Sequence, residues 1–201
     1  MIKAEVTLCG TVSRIAAVRN GREGKQFVSF GIQTVIKARS GINKTIDISV
    51  AKDCQDGEDI SLIRQGSRIE VKGMLTFRKK GDALYLNMEA TAVNMDNVSA
   101  EDSIVGELQF LGKAGKNVEV KTTKKGDSFI VFSGFSTSKE DDTFEYTWVR
   151  FVQFDAQKPD WMADKTPIDV KGTLELSIYN DKLEIGCRVS ELNPWEKEQQ
   201  Q

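Results

Sequence analysis

One strand-and-turn pattern is written twice in this chain, about 100 residues apart. The segment "LIRQGSRIEVKGMLTF" (Leu62 to Phe77) is matched by "WMADKTPIDVKGTLEL" (Trp161 to Leu176) at an offset of 99, so Lys72-Gly73 falls on Lys171-Gly172. Upstream, "KQFVSFGIQT" (Lys25 to Thr34) matches "DSFIVFSGFST" (Asp127 to Thr137). At the front, "VTLCGTV" aligns with "SIVGELQF" on Gly10 and Gly106. A period near 100 is too long for a solenoid unit and right for a whole small domain. Two domains are expected, at 1–98 and 99–195, followed by a polar tail over 196–201.

Within each half the strand signals dominate. "TIDISV" (Thr45 to Val50) alternates, with Ile46, Ile48 and Val50 on one face. Ile69, Val71, Gly73, Leu75 and Phe77 alternate next, and then Leu84, Leu86 and Met88 oppose Tyr85 and Asn87. With the runs near Val6–Val12 and Phe27–Ile36, this makes five strands. The second half repeats them at Ile104–Phe110, Ser128–Thr137, Glu145–Phe154, Ile168–Ser177 and Lys182–Val189. Between the third and fourth strands a short helix is expected, over Asp56–Gly66 in one half and Lys158–Thr166 in the other. Five strands with one helix in that slot predict an all-β chain of two tandem OB-fold barrels, each a five-stranded Greek key. Glycines at the strand centres suit a sheet that must bend sharply. Phe110, Phe129, Phe132 and Phe151 read as core, as does one of Phe27 and Phe30. Trp161 reads as a cap on the barrel bottom.

Composition narrows the function. There is no histidine, which removes the commonest general base and metal ligand. No "GxxxxGK" phosphate loop occurs, and the three cysteines fit neither a zinc spacing nor a disulfide framework. A non-enzyme without cofactor or metal is expected. Cys9 and Cys187 should pack as small apolar residues in a reducing cytoplasm. There is no run of 18 apolar residues and no signal core, so no membrane partner is expected. The net charge of −2 conceals an asymmetry: residues 1–98 carry 15 Lys+Arg against 11 Asp+Glu, and 99–201 carry 13 against 19. Either the two copies have drifted, or the first half attracts a polyanion and the second has partly lost that task.

The order of motifs resembles the bacterial single-stranded-DNA-binding protein family. "LCGTVSRIAAVRNGREGKQFVSFGIQT" resembles that family's opening, and "LIRQGSRIEVKGMLTFRKK" resembles its Lys-Gly-Ser and Glu-Gly segment. "YTWVRFVQF" (Tyr146 to Phe154) resembles the family's third strand, where a Trp, an Arg and a Phe recur on the DNA face. The resemblance implies roles for Trp148, Arg150 and Phe154, with single-stranded DNA as partner and replication, recombination or repair as setting. It also implies a homo-oligomer, because duplicated forms reach four OB-folds by dimerising. There are departures. Thr45-Ile46 and Lys79-Lys80 stand where the family places aromatics, and the chain ends "NPWEKEQQQ" instead of in an acidic tip with Pro-Phe. These departures weigh against recruitment of repair proteins through such a tip, while replication or recombination proteins stay open as partners.

Holding a single strand without reading its sequence requires cations for the phosphates and flat side chains for the bases. Arg14, Arg19, Arg22 and Lys25 lie around the first hairpin, and Lys37, Arg39 and Lys44 flank the loop between strands two and three. Arg78, Lys79 and Lys80 form the tip of the last hairpin, with Phe77 and Tyr85 beside it. Singly these are ordinary surface residues; together they border one barrel mouth. Val149 and Phe151 take the inward phase of their strand, which points Trp148 and Arg150 outward. Tyr179 reads equally as a stacking residue or a plain turn residue. "KEDDTFE" places four carboxylates on the corresponding loop of the second half, which suits self-association or partner contact better than phosphate binding. Two other functions stay open: an OB scaffold for proteins of a replication or mobile-element complex, and an RNA- or oligosaccharide-binding protein.

Overall fold

The structure, a computed structural model, describes residues 1–21, 24–38, 41–54, 59–140 and 143–196. Its strands are β1 (Ile2–Asn20), β2 (Gln26–Ile36), β3 (Lys44–Asp53), β4 (Arg68–Lys80) and β5 (Ala83–Asn94), then β6 (Ser103–Thr122), β7 (Ser128–Glu140), β8 (Thr143–Phe154), β9 (Pro167–Tyr179) and β10 (Lys182–Pro194). The pairing β1-β2-β3-β5-β4-β1 closes one ring, and β6-β7-β8-β10-β9-β6 closes a second. Among the described residues only β3–β5 and β8–β10 are parallel. Each ring has the five-stranded Greek-key order of an OB barrel.

Alternation decides which side chains enter the barrels. Ile46, Ile48 and Val50 are buried while Thr45, Asp47 and Ser49 are exposed. Opposite them in the first barrel lie Leu8, Phe30, Ile69, Leu75 and Met88, all buried. In the second barrel Phe151 is fully buried, edge-on to Phe110 at 5.0 Å and stacked on Phe132 at 4.9 Å. Each such side chain contributes roughly 1.5–3 kcal/mol by leaving water.

The ladders correct the front of the sequence alignment. Thr11 pairs with Gln33 in the first barrel and Lys113 with Phe135 in the second, so β1 and β6 correspond at a separation of 102. The counterpart of Gly10 is therefore Gly112, not Gly106. Both sit where the long first strand turns from one neighbour to another. A Cβ there would lie 2.4 Å from the carbonyl oxygen of Gln33 or of Phe135. A glycine in each window misled the alignment. Gly73 and Gly172 do correspond as expected, each facing a bulge in the last strand. There a Cβ would lie 2.1 Å from Glu89 O and 2.0 Å from Arg188 O. The hydroxyls of the extra residues, Thr91 and Ser190, donate to the carbonyls of Lys72 and Lys171.

No helix forms in either expected slot among the described residues; residues 55–58 of the first slot lie outside them. The first slot holds one 3-10 turn at Ile60–Leu62, capped by the Asp59 carboxylate on Ser61 N–H at 2.9 Å. Hydrogen bonds from the Ser61 side chain and then from its backbone N–H lower the Asp59 pKa below its ordinary value. The second slot closes the same way: Ile63 N–H donates to Ile60 O, and Met162 N–H to Pro159 O. One turn suffices because a single side chain plugs each barrel, Ile63 in one and Met162 in the other. Trp161 is thus not the cap; it is partly exposed, one residue from the plug.

The two rings join through β1 and β6. They pair antiparallel from Ile2–Phe110 to Cys9–Ser103. Ile2 and Leu8 correspond to Ile104 and Phe110, and each pairs with the other's counterpart, as Ile2–Phe110 and Leu8–Ile104. The ladder is therefore a pseudo-dyad centred on Glu5–Glu107. The hairpins obey the same symmetry. At the tip of β4–β5, Gly81 N–H donates to the Glu145 carboxylate at 3.0 Å, and at the tip of β9–β10 the Asp181 carboxylate accepts from Lys44 Nζ at 3.2 Å. Lys44 and Glu145 are equivalent positions at the starts of β3 and β8. Arg68 fastens the connection between the rings, donating to Asp102 and to the carbonyls of Ser99 and Glu101.

Candidate nucleic-acid interface

The outer face of β8 carries four exposed aromatics, Phe144, Tyr146, Trp148 and Phe154. Cross-strand pairs bring Phe135 beside Trp148, Ser133 beside Arg150 and Phe129 beside Phe154. Trp148 is 52 % exposed and leans on Phe135, with centroids 4.9 Å apart at 48°. Tyr146 extends the group from the far side of Phe135, at 5.7 Å. Gly115, at the β6 bulge, leaves room for the edge of the indole; a Cβ there would lie 3.4 Å from Trp148 Cζ3. At the other end of the face Phe154 pairs with Phe129 at 5.5 Å, and the Arg188 guanidinium stands 5.7 Å from its ring centre. Phe129, expected in the core, therefore faces outward. Phe30 is the buried member of its pair, and Phe27 lies outside.

A groove of about 300 Å³ opens between this face and the β4–β5 hairpin of the first barrel. Lys79 and Leu84 come from the hairpin, and Trp148, Arg150 and Lys182 from the second barrel. Three of the residues singled out in the sequence, Lys79, Trp148 and Arg150, thus line one hollow built from both rings. Sequence reasoning missed Phe135, Tyr146 and Lys182. The phase of Phe135 was readable, since Ile130 and Phe132 point inward and set the alternation.

The remaining basic residues are more dispersed. Lys37 pairs with Glu101 at 3.8 Å and Lys44 with Asp181 at 3.2 Å, so acids of the second half engage both. Arg14 donates to the Phe30 carbonyl at 3.2 Å. Arg19 and Lys25 lie exposed on the β1–β2 hairpin, away from this groove's lining. Lys80 is exposed at the β4–β5 tip, where Arg78 and Tyr85 form an outward cross-strand pair. Phe77, read as a surface aromatic, is half-buried and packs against the core. Arg22 and Arg39 lie outside the described residues, as do Asp141 and Asp142 of the acidic loop. That loop's remaining residues all belong to the extended β7 and β8.

Solved structures similar to this chain include the single-stranded DNA-binding protein of Thermus aquaticus and the PriB protein of Ralstonia solanacearum. The wild-type Thermus protein is 14 % identical with a TM-score of 0.49, covering 96 % of this chain and 93 % of its own. A deletion mutant of it is 15 % identical with a TM-score of 0.46, covering 96 % and 95 %. PriB is 14 % identical with a TM-score of 0.34, over 45 % of this chain and 97 % of its own. No family model matches the sequence, and no curated protein matches it. No helix among the described residues is long and apolar enough to cross a membrane.

Proposed function

We propose that this chain binds single-stranded DNA without catalysing a reaction, in the setting of DNA replication, recombination or repair. The observation that carries the reading is Trp148: a half-exposed indole held on Phe135, with Arg150 two residues along the same outward face. Such a surface offers a base a flat partner worth ~1–3 kcal/mol, beside a cation for the adjoining phosphate. Lys79 and Lys182 supply further cations along the groove. The two halves, 1–98 and 99–195, act as tandem OB domains joined by the β1–β6 ladder, and the chain works in the cytoplasm as a homo-oligomer. The test is titration of a poly-thymidine oligomer, read by tryptophan fluorescence at two salt concentrations. Binding should quench the emission and weaken steeply as salt rises, because each neutralised phosphate releases counterions. Replacing Arg78, Lys79 and Lys80 together with Ala should flatten the log–log salt slope by roughly 2, at ~0.7 per phosphate contact. Absence of both quench and salt dependence would overturn this reading in favour of a protein-binding scaffold.

A further inference from the structure

The groove beside Trp148 contains two carboxylates that a surface built only for phosphates would exclude. Asp82 enters from the β4–β5 hairpin of the first barrel, and Glu184 from β10 of the second. Glu184 lies one step before the Val149–Ile185 pair of the parallel β8–β10 ladder, which sets it alongside Trp148 on the neighbouring strand. Adjacent strands lie roughly 4.8 Å apart, so the indole has Phe135 on one flank and a carboxylate on the other. No hydrogen bond or ion pair among the described residues engages either carboxylate, although Lys79, Arg150 and Lys182 line the same hollow. Leu84 and Leu183 give the groove apolar walls.

An ionised carboxylate only accepts hydrogen bonds. A base stacked on Trp148 presents its edge to whatever surrounds the indole. Cytosine, adenine and guanine carry an exocyclic amino donor there, and Asp or Glu accepting from cytosine N4 is an established pairing. Thymine presents two carbonyl oxygens and a single N–H, so two carboxylates would meet acceptors. From this geometry, and resting on the single-strand reading above, we propose that the inter-barrel groove is a nucleobase pocket that selects amino-bearing bases over thymine. Asp82 and Glu184 are its acceptors and Trp148 its floor. The first barrel thereby contributes to base choice through its hairpin, although the stacking surface belongs to the second.

The test compares oligo-dC with oligo-dT of about 12 nucleotides, within the 4–16 that one OB-fold covers. Cytosine and thymine are similar in size, so stacking area changes little between them. Wild-type protein, read by fluorescence quenching at one salt concentration, should bind oligo-dC at least roughly five-fold more tightly, the lower end for one good base-edge contact. The double variant Asp82→Asn, Glu184→Gln keeps shape while giving each group a donor as well as an acceptor, and should bring the ratio to about one. Equal affinities in the wild type overturn the proposal. So does a variant that tightens both oligomers alike, because the carboxylates would then act only by repelling phosphate. If neither oligomer quenches the wild type, it is the single-strand reading that falls.

Discussion

The outer face of β2–β3 in the first barrel and that of β7–β8 in the second share a backbone and almost nothing else. With β3 and β8 corresponding at a separation of 101, Tyr146, Trp148, Arg150 and Phe154 stand where the first barrel has Thr45, Asp47, Ser49 and Asp53. The inward phase of the same strands stays apolar even where size changes: Ile48 matches Val149 and Val50 matches Phe151, all buried. The repeat therefore preserves what closes a barrel and releases what faces outward. It also separates two properties that a strand-binding surface needs. The surplus of cations lies in the first half, whereas the exposed aromatic face lies in the acidic second half. Net charge by halves and exposed aromatic surface thus point to different barrels, because net charge carries no information about one local groove.

The cores differ in kind, and this can be broken most forcefully. Phe151 sits between Phe110 and Phe132, whereas Val50 occupies its place in the first barrel. Phe151→Ala should lower the unfolding free energy by ~3–5 kcal/mol in a denaturant melt. A loss below about 1 kcal/mol would mean that the second core relaxes around the cavity.

The pseudo-dyad is imperfect at Gly106. Gly106 is the counterpart of Ala4, yet a Cβ at Gly106 would lie 1.9 Å from Glu5 O across the β1–β6 ladder. Gly106→Ala should therefore cost ~1–3 kcal/mol through forced backbone shifts. A melt within about 0.5 kcal/mol of wild type would show that the ladder between the barrels yields easily. Elsewhere the copies compensate. Ser13 and Gly31 meet in the first barrel, and Gly115 and Ser133 in the second, with the small and the larger residue exchanged.

Another difference lies at a core position that is Met88 in one barrel and Cys187 in the other. Burial first, then the Glu175 and Glu107 carboxylates, push the Cys187 thiol from 9.0 up to about 12. The folded state thus keeps a proton that the unfolded state releases above about pH 9. Stability should fall as pH rises from 9 toward 12, and the Cys187→Ala melt should show a shallower decline. Equal slopes in the two proteins would contradict this.

Much of the fold was legible because alternation is local. Ile46, Ile48 and Val50, and again Ile69, Val71 and Leu75, announced their buried face residue by residue. The outward phase of Trp148 followed from the same rule. What escaped depends on distance or on counts of one. The β1–β6 ladder leaves no local trace, since Ile2, Ala4, Val6 and Leu8 would alternate in an edge strand as well. The helix slots looked helical because Ile60 and Ile63 are three apart, but a single turn meets the need for one plug. Met162, not its larger neighbour Trp161, was the residue in phase. The groove between hairpin and barrel required Lys79 and Trp148 to meet across the pseudo-dyad, which neither half encodes alone.

The central claim is that a single strand stacks on the β7–β8 face and not on its β2–β3 equivalent. The direct measurement is a matched pair of variants, Trp148→Ala and Asp47→Ala, each titrated with oligonucleotide by fluorescence and checked by size-exclusion chromatography. Trp148→Ala should lose most of the quench and ~1–3 kcal/mol of affinity with an unchanged elution volume. Asp47→Ala should keep both quench and affinity. Retained quenching in Trp148→Ala with intact assembly, or an equal loss in Asp47→Ala, would contradict the account.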